Sequence, residues 1–79
     1  MPTILRQDGF RVMIYPDDHE PAHVHCYRGD SVITICLGEV TATIREASAA
    51  AKPQDQRDAL RVVNQHRERL WKAWRKYHG

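Results

Sequence analysis

The sequence predicts an α+β domain, an antiparallel β-meander of about five strands covered on one face by a long C-terminal helix. Three observations predict it. Turn pairs at Asp8-Gly9, Gly29-Asp30 and Gly38-Glu39 punctuate the first half, apolar and polar residues alternate between them, and apolar residues recur at helical spacing after Pro53. The 79 residues make one domain with one core: a sheet over 1–44, a connector over 45–52 and a basic amphipathic helix over 53–78. A domain of this size buries only about 60% of the surface its unfolded chain exposes, so a homodimer or a partner chain is a natural source of further stability.

Asp8-Gly9 suits a type I′ turn, which needs positive φ at both central positions. It pairs Thr3 to Gln7 with Phe10 to Ile14, so that Leu5, Phe10, Val12 and Ile14 share a core face and Arg6, Arg11, Met13 and Tyr15 the other. Residues 16–22 hold two prolines and three acids and must loop. Strands His23 to Arg28 and Ser31 to Leu37 then pair through Gly29-Asp30, setting Arg28 opposite Ser31, Cys26 opposite Ile33, His25 opposite Thr34 and His23 opposite Cys36. Gly38-Glu39 turns the chain again and pairs Leu37 with Val40, Ile35 with Ala42 and Ile33 with Ile44.

On these registers Val24, Cys26, Ile33, Ile35, Leu37, Val40, Ala42 and Ile44 line one buried face. His23, His25, Tyr27, Val32, Thr34, Cys36, Thr41 and Thr43 take the opposite, wetter one. Residues 45–51 lack turn residues and read as a short helical connector. Pro53 fits the first turn of a long helix, in which Ala59 or Leu60, Val63, Leu70, Trp74 and Tyr77 form the apolar stripe.

No apolar run approaches the ~20 residues that span a bilayer, and Met1-Pro-Thr-Ile-Leu-Arg6 lacks a basic region followed by an apolar stretch, so the expected location is the cytoplasm. Cys26 and Cys36 match no CxxC pattern and fall on opposite faces, which reads as two reduced thiols. Charge is uneven. Residues 1–51 hold four basic and seven acidic side chains, residues 52–79 eight basic and three acidic. The basic half suits phosphate or an acidic protein.

His19, Glu20 and His23 match the H-E-x-x-H pattern of zinc proteases, but Pro21 removes the helix that gives that pattern its meaning. Strand geometry offers a different metal site. His23 and His25 project from one face with Cys36 beside them, and His19 or a loop acid such as Asp17, Asp18 or Glu20 completes four ligands for zinc. Against this stands the plainer reading of half-buried imidazoles bonded to backbone, with Cys36 a small hydrophobe. The same two imidazoles titrate near neutrality and suit the acid and base of RNA cleavage, with Arg11, Arg28 or the helix cations on the phosphate. Arg67 to Tyr77 interleaves cations with aromatics; Tyr27, Arg61, Trp71, Lys72 and Arg75 join Arg11 and Arg28 as candidates for a nucleic-acid or partner surface, while Trp74 and Tyr77 belong to packing.

Nearly the whole chain resembles a family of small bacterial proteins grouped as domain of unknown function 4160 (DUF4160). The resemblance lies in Pro2-Thr-Ile, Asp8-Gly-Phe-Arg11, His19-Glu-Pro-Ala-His-Val-His25, the Gly29 turn and Trp71-Lys-Ala-Trp-Arg75. It implies one gene of a two-gene pair of toxin–antitoxin type, whose neighbour resembles the domain of unknown function 2442 (DUF2442). It also places the family's motif on His19, Pro21, His23 and His25. The resulting expectation is a toxin-like cytoplasmic protein that binds its cognate DUF2442-like partner, and RNA or DNA besides, through a histidine-rich sheet face. The alternatives are a metal-independent RNase using His23 and His25, and a zinc-binding structural module.

Overall fold

A computed structural model describes residues 3–78. Pro2, one of the residues that carry the resemblance, lies outside them. Five strands, β1 (Thr3–Gln7), β2 (Phe10–Met13), β3 (His23–Arg28), β4 (Ser31–Cys36) and β5 (Thr43–Ala47), form one antiparallel sheet in sequential order, followed by α1 (Pro53–Gln65) and α2 (Arg67–His78). The α+β meander therefore stands as expected.

The first two hairpins follow from their turns. Asp8 and Gly9 both have positive φ, 52° and 81°, and set Arg6 against Arg11 and Leu5 against Val12. Gly29, at φ 56°, sets all four β3–β4 pairs named above. One apolar face results. Phe10, Val12, Ile14, Val24, Cys26, Ile33, Ile35 and Leu37 are buried and join Ala59, Val62, Val63, Leu70 and Trp74 in a single core. Each large aliphatic side chain so buried contributes about 1.5–3 kcal/mol.

The second half needs three corrections. The expected pairing of Leu37 with Val40 does not form: β5 begins at Thr43, Ile35 faces Ile44, and Val40 is 88% exposed. Its cause is a wider turn, in which the Leu37 carbonyl accepts from Arg67 and the Ala42 N–H donates to Asn64, so the helices hold the loop open. Residues 45–47 continue β5, where a short helical connector was expected, and Arg45 is an extra residue between the pairs Ile35–Ile44 and Thr34–Glu46.

The long helix is two. His66 N–H donates to Val63 O three residues back and interrupts the helix there, and Tyr77 is exposed and not in the stripe. α1 packs on β4 and β5. Contacts with Ile4, Leu37, Gly38 and His23 place α2 along the end of the sheet where β1 and β3 begin and β4 ends. No helix among the described residues is long and apolar enough to cross a membrane.

Candidate functional site

That closed end of the sheet holds the histidines. The chain leaves β2 at Met13 and returns at His23 through a loop anchored on itself: Asp18 N–H donates to Tyr15 O, and Tyr15 N–H donates to Asp18 Oδ2. This reciprocal turn aims Asp18 at the face where His23 and His25 emerge two residues apart. Asp18 Oδ2 lies 3.0 Å from His25 Nε2 and 3.6 Å from His23 Nε2. One ligand atom from each of the three residues falls within 4.8 Å of the others.

The His23 imidazole is oriented from behind. The His23 ring meets the Pro21 carbonyl through Nδ1 at 2.8 Å; a carbonyl only accepts, so Nδ1 donates, and Nε2 faces the cluster. Trp74 of α2 reaches round the sheet end to within 5.5 Å of the His23 ring, leaving that residue only 6% exposed; the wetter face expected for His23 is corrected to a sealed one. His25 stays half-buried and is flanked edge-on by Tyr15 at 4.9 Å. Tyr15 Oη and Tyr27 Oη share a hydrogen bond of 2.7 Å. Burial first, and then that bond, push the Tyr27 hydroxyl up to about 12.

Of the other ligand candidates, His19 is exposed and lines a cleft of about 240 Å³ with Asp17, Asp18, Glu20, His23 and Arg45. Cys36 is opposite His23 across the strands, yet it lines a neighbouring groove with Pro21, Ala22, Gly38 and Trp71 and stands outside the ligand group. Asp18, one of the loop acids named as alternatives to His19, is the residue beside the two histidines, and neither His19 nor Cys36 joins them.

The cations sort into two kinds. Arg28 donates to Asp55 at 2.6 Å, to Asp58 at 3.0 Å and to the Asp8 carbonyl, while lying 4.1 Å from the centre of the Phe10 ring. Arg61 pairs with Asp8 and Asp58. These two arginines clamp α1 to the hairpin turns. In return the Arg28 guanidinium, the Lys52 N–H and the Ser31 hydroxyl hold the Asp55 carboxyl down to about 2, and Arg28 above all lowers Asp58. Arg11 is exposed, 5.6 Å from the Tyr27 ring centre. Trp71 donates its indole N–H to Gly38 O and lies under Arg75; Lys72 and Arg75 are exposed and edge a shallow cleft with Glu39 and Glu68.

Sequence reasoning named Asp18 only as one of several loop acids, and missed Arg45 and Trp74 as site neighbours. No pattern in the sequence marks them, because one depends on a bulge and the other on the turn between the helices.

No curated protein and no solved structure matches the chain. A family model described as Domain of unknown function (DUF4160) matches residues 9–75, a span that runs from β2 into α2 and contains Asp18, His23 and His25. The chain therefore belongs to the DUF4160 family.

Proposed function

We propose that Asp18, His23 and His25 bind a divalent transition-metal ion such as zinc, and that the protein works through this centre. The observation that carries the reading is the convergence of one ring nitrogen from each histidine and one Asp18 carboxylate oxygen within 4.8 Å, both Nε2 atoms lying close to Asp18 Oδ2. Two neutral imidazoles and one carboxylate form a borderline donor set typical of sites that keep a coordination position open. The surroundings support a cation: Asp17 and Glu20 join Asp18 around the adjoining cleft, against one arginine, Arg45. Metal-independent cleavage of RNA by His23 and His25 is less well supported. Both Nε2 atoms address the same carboxylate, whereas an acid and a base must face opposite sides of a scissile bond.

Zinc titration followed by calorimetry and elemental analysis tests this. About one ion per chain is expected in the wild type, and none in Asp18→Ala or His25→Ala. Wild-type protein that takes no zinc, or variants that take it equally, would remove the centre.

A second reading is favoured by a different observation. Val40 is 88% exposed next to β5, an edge strand with one side unpaired, and such a combination suits a protein partner. The occupant proposed is the cognate DUF2442-like protein of a toxin–antitoxin-type pair. Co-expression with that protein should yield a stoichiometric complex that Val40→Asp disrupts, and a failure to co-purify would discard it.

A further inference from the structure

The far half of the same sheet face carries a feature that does not depend on the metal. The Asp8-Gly9 turn fixes a register in which Arg6 lies directly opposite Arg11. Like charges in that position repel, with Cβ atoms about 4.5–5.5 Å apart. Both side chains are exposed, and among the described residues neither guanidinium meets a carboxylate. The contrast with Arg28 and Arg61 on the helix face is sharp: there the acids Asp8, Asp55 and Asp58 neutralise each cation.

The next residue across the sheet is Tyr27, paired with Arg11, its ring 5.6 Å from the Arg11 guanidinium and its hydroxyl held by Tyr15. A cleft of about 330 Å³ opens beside the two arginines, lined by Arg6, Gln7, Gly9, Phe10 and Arg11 with no acid among them. α1 lies against the opposite face and α2 along the other end, so neither helix covers this row.

We infer that the row Arg6–Arg11–Tyr27 is a binding subsite for single-stranded nucleic acid. A phosphate bridging the two guanidiniums relieves their repulsion through charge-assisted hydrogen bonds, and an unpaired base stacks on the tyrosine. The aromatic neighbour separates this occupant from an acidic peptide, which would satisfy the arginines but has no planar group for Tyr27. Bases of a duplex are already stacked on one another and are not free to use it. His25 follows two positions along the same face of β3, about 7 Å away, so a strand seated on the row continues toward Asp18 and His23.

Fluorescence anisotropy with labelled ten-nucleotide oligo(U) and oligo(dT), in chelator and at low salt, tests the inference apart from any metal. Arg6→Ala and Arg11→Ala should each weaken binding about tenfold. Tyr27→Leu, which replaces the stacking ring with an aliphatic side chain, should weaken it at least about fivefold. The double arginine variant should flatten the slope of log affinity against log salt by about 1.4. Lys72→Ala with Arg75→Ala, on α2, should stay within about twofold of wild type. Far-ultraviolet circular dichroism checks that each variant keeps the fold. No binding by the wild type, equal binding by the double arginine variant, a larger loss from the α2 variant, or polyglutamate competing as well as oligonucleotide would each overturn it.

Discussion

Replacing Gly38 with alanine tests the account of the turn that re-registers β5. Gly38 has φ +65°, and its carbonyl accepts from both Arg67 Nη2, at 2.6 Å, and Trp71 Nε1, at 3.0 Å. An alanine there meets two penalties. The left-handed backbone disfavours any L side chain by about 1–2 kcal/mol, and the added Cβ would overlap the Thr41 carbonyl oxygen, backbone that cannot rotate away. Relieving that overlap shifts a packed loop, at about 1–3 kcal/mol. The sum, roughly 2–5 kcal/mol, is a large part of the ~4–12 kcal/mol expected of a domain this size, and lowers Tm by at least about 8 °C. Gly29→Ala is the internal control. It has φ +56° and open space around the new Cβ, so it suffers the backbone penalty alone. Thermal and urea unfolding by circular dichroism should rank wild type above Gly29→Ala and Gly29→Ala above Gly38→Ala. Equal losses in the two variants would refute the close approach of the Thr41 carbonyl to Gly38 in the turn that precedes β5.

Asp55→Asn should lower the urea midpoint at neutral pH. The folded carboxyl sits near 2 against an ordinary 3.8, so its contribution is complete above 3.8 and fades as pH falls through 2; the gap between variant and wild type should close over that window, and a gap that persists at pH 2 would contradict it. Burial lifts the Cys26 thiol to about 12, whereas Cys36 lines an open groove, so iodoacetamide at pH 8 should label one thiol in the folded protein and both in urea, as read by mass spectrometry. Trp74→Ala should destabilise the fold by about 3–5 kcal/mol, since Trp74 joins the core to the His23 ring, while Trp74→Phe should lose less; a mild effect of the alanine variant would mean that α2 does not seal the sheet end. With zinc at a hundred times its dissociation constant, Tm of the wild type should rise by roughly 10 °C or more and that of Asp18→Ala should not move.

The parts of this fold that the sequence makes legible are those governed by local chemistry. Positive-φ positions at Asp8, Gly9 and Gly29 set two registers, and two-residue periodicity then puts His23, His25, Tyr27 and Cys36 on one face, as the structure has them. What stays hidden depends on partners distant in sequence. Gly38 turns the chain as its residue type suggests, but Arg67, Trp71 and Asn64 from the helices hold residues 37–42 in a wider loop, so β5 starts three residues later than the turn alone implies. The break at His66 carries no glycine or proline. Val63 and Leu70 lie seven residues apart on either side of it, which keeps the apolar stripe in phase and the interruption invisible. Both hidden features bear on the candidate centre. The late, bulged β5 brings Arg45 to the cleft beside His23, and α2, beginning after the break at His66, brings Trp74 onto the His23 ring. Asp18 completes the set through a turn whose two hydrogen bonds join it to Tyr15, and nothing in the residue types of 15–22 singles it out from Asp17 or Glu20. The two histidines are thus placed by strand periodicity, and what completes the candidate site, the Asp18 carboxylate and the Trp74 wall, comes from the tertiary fold.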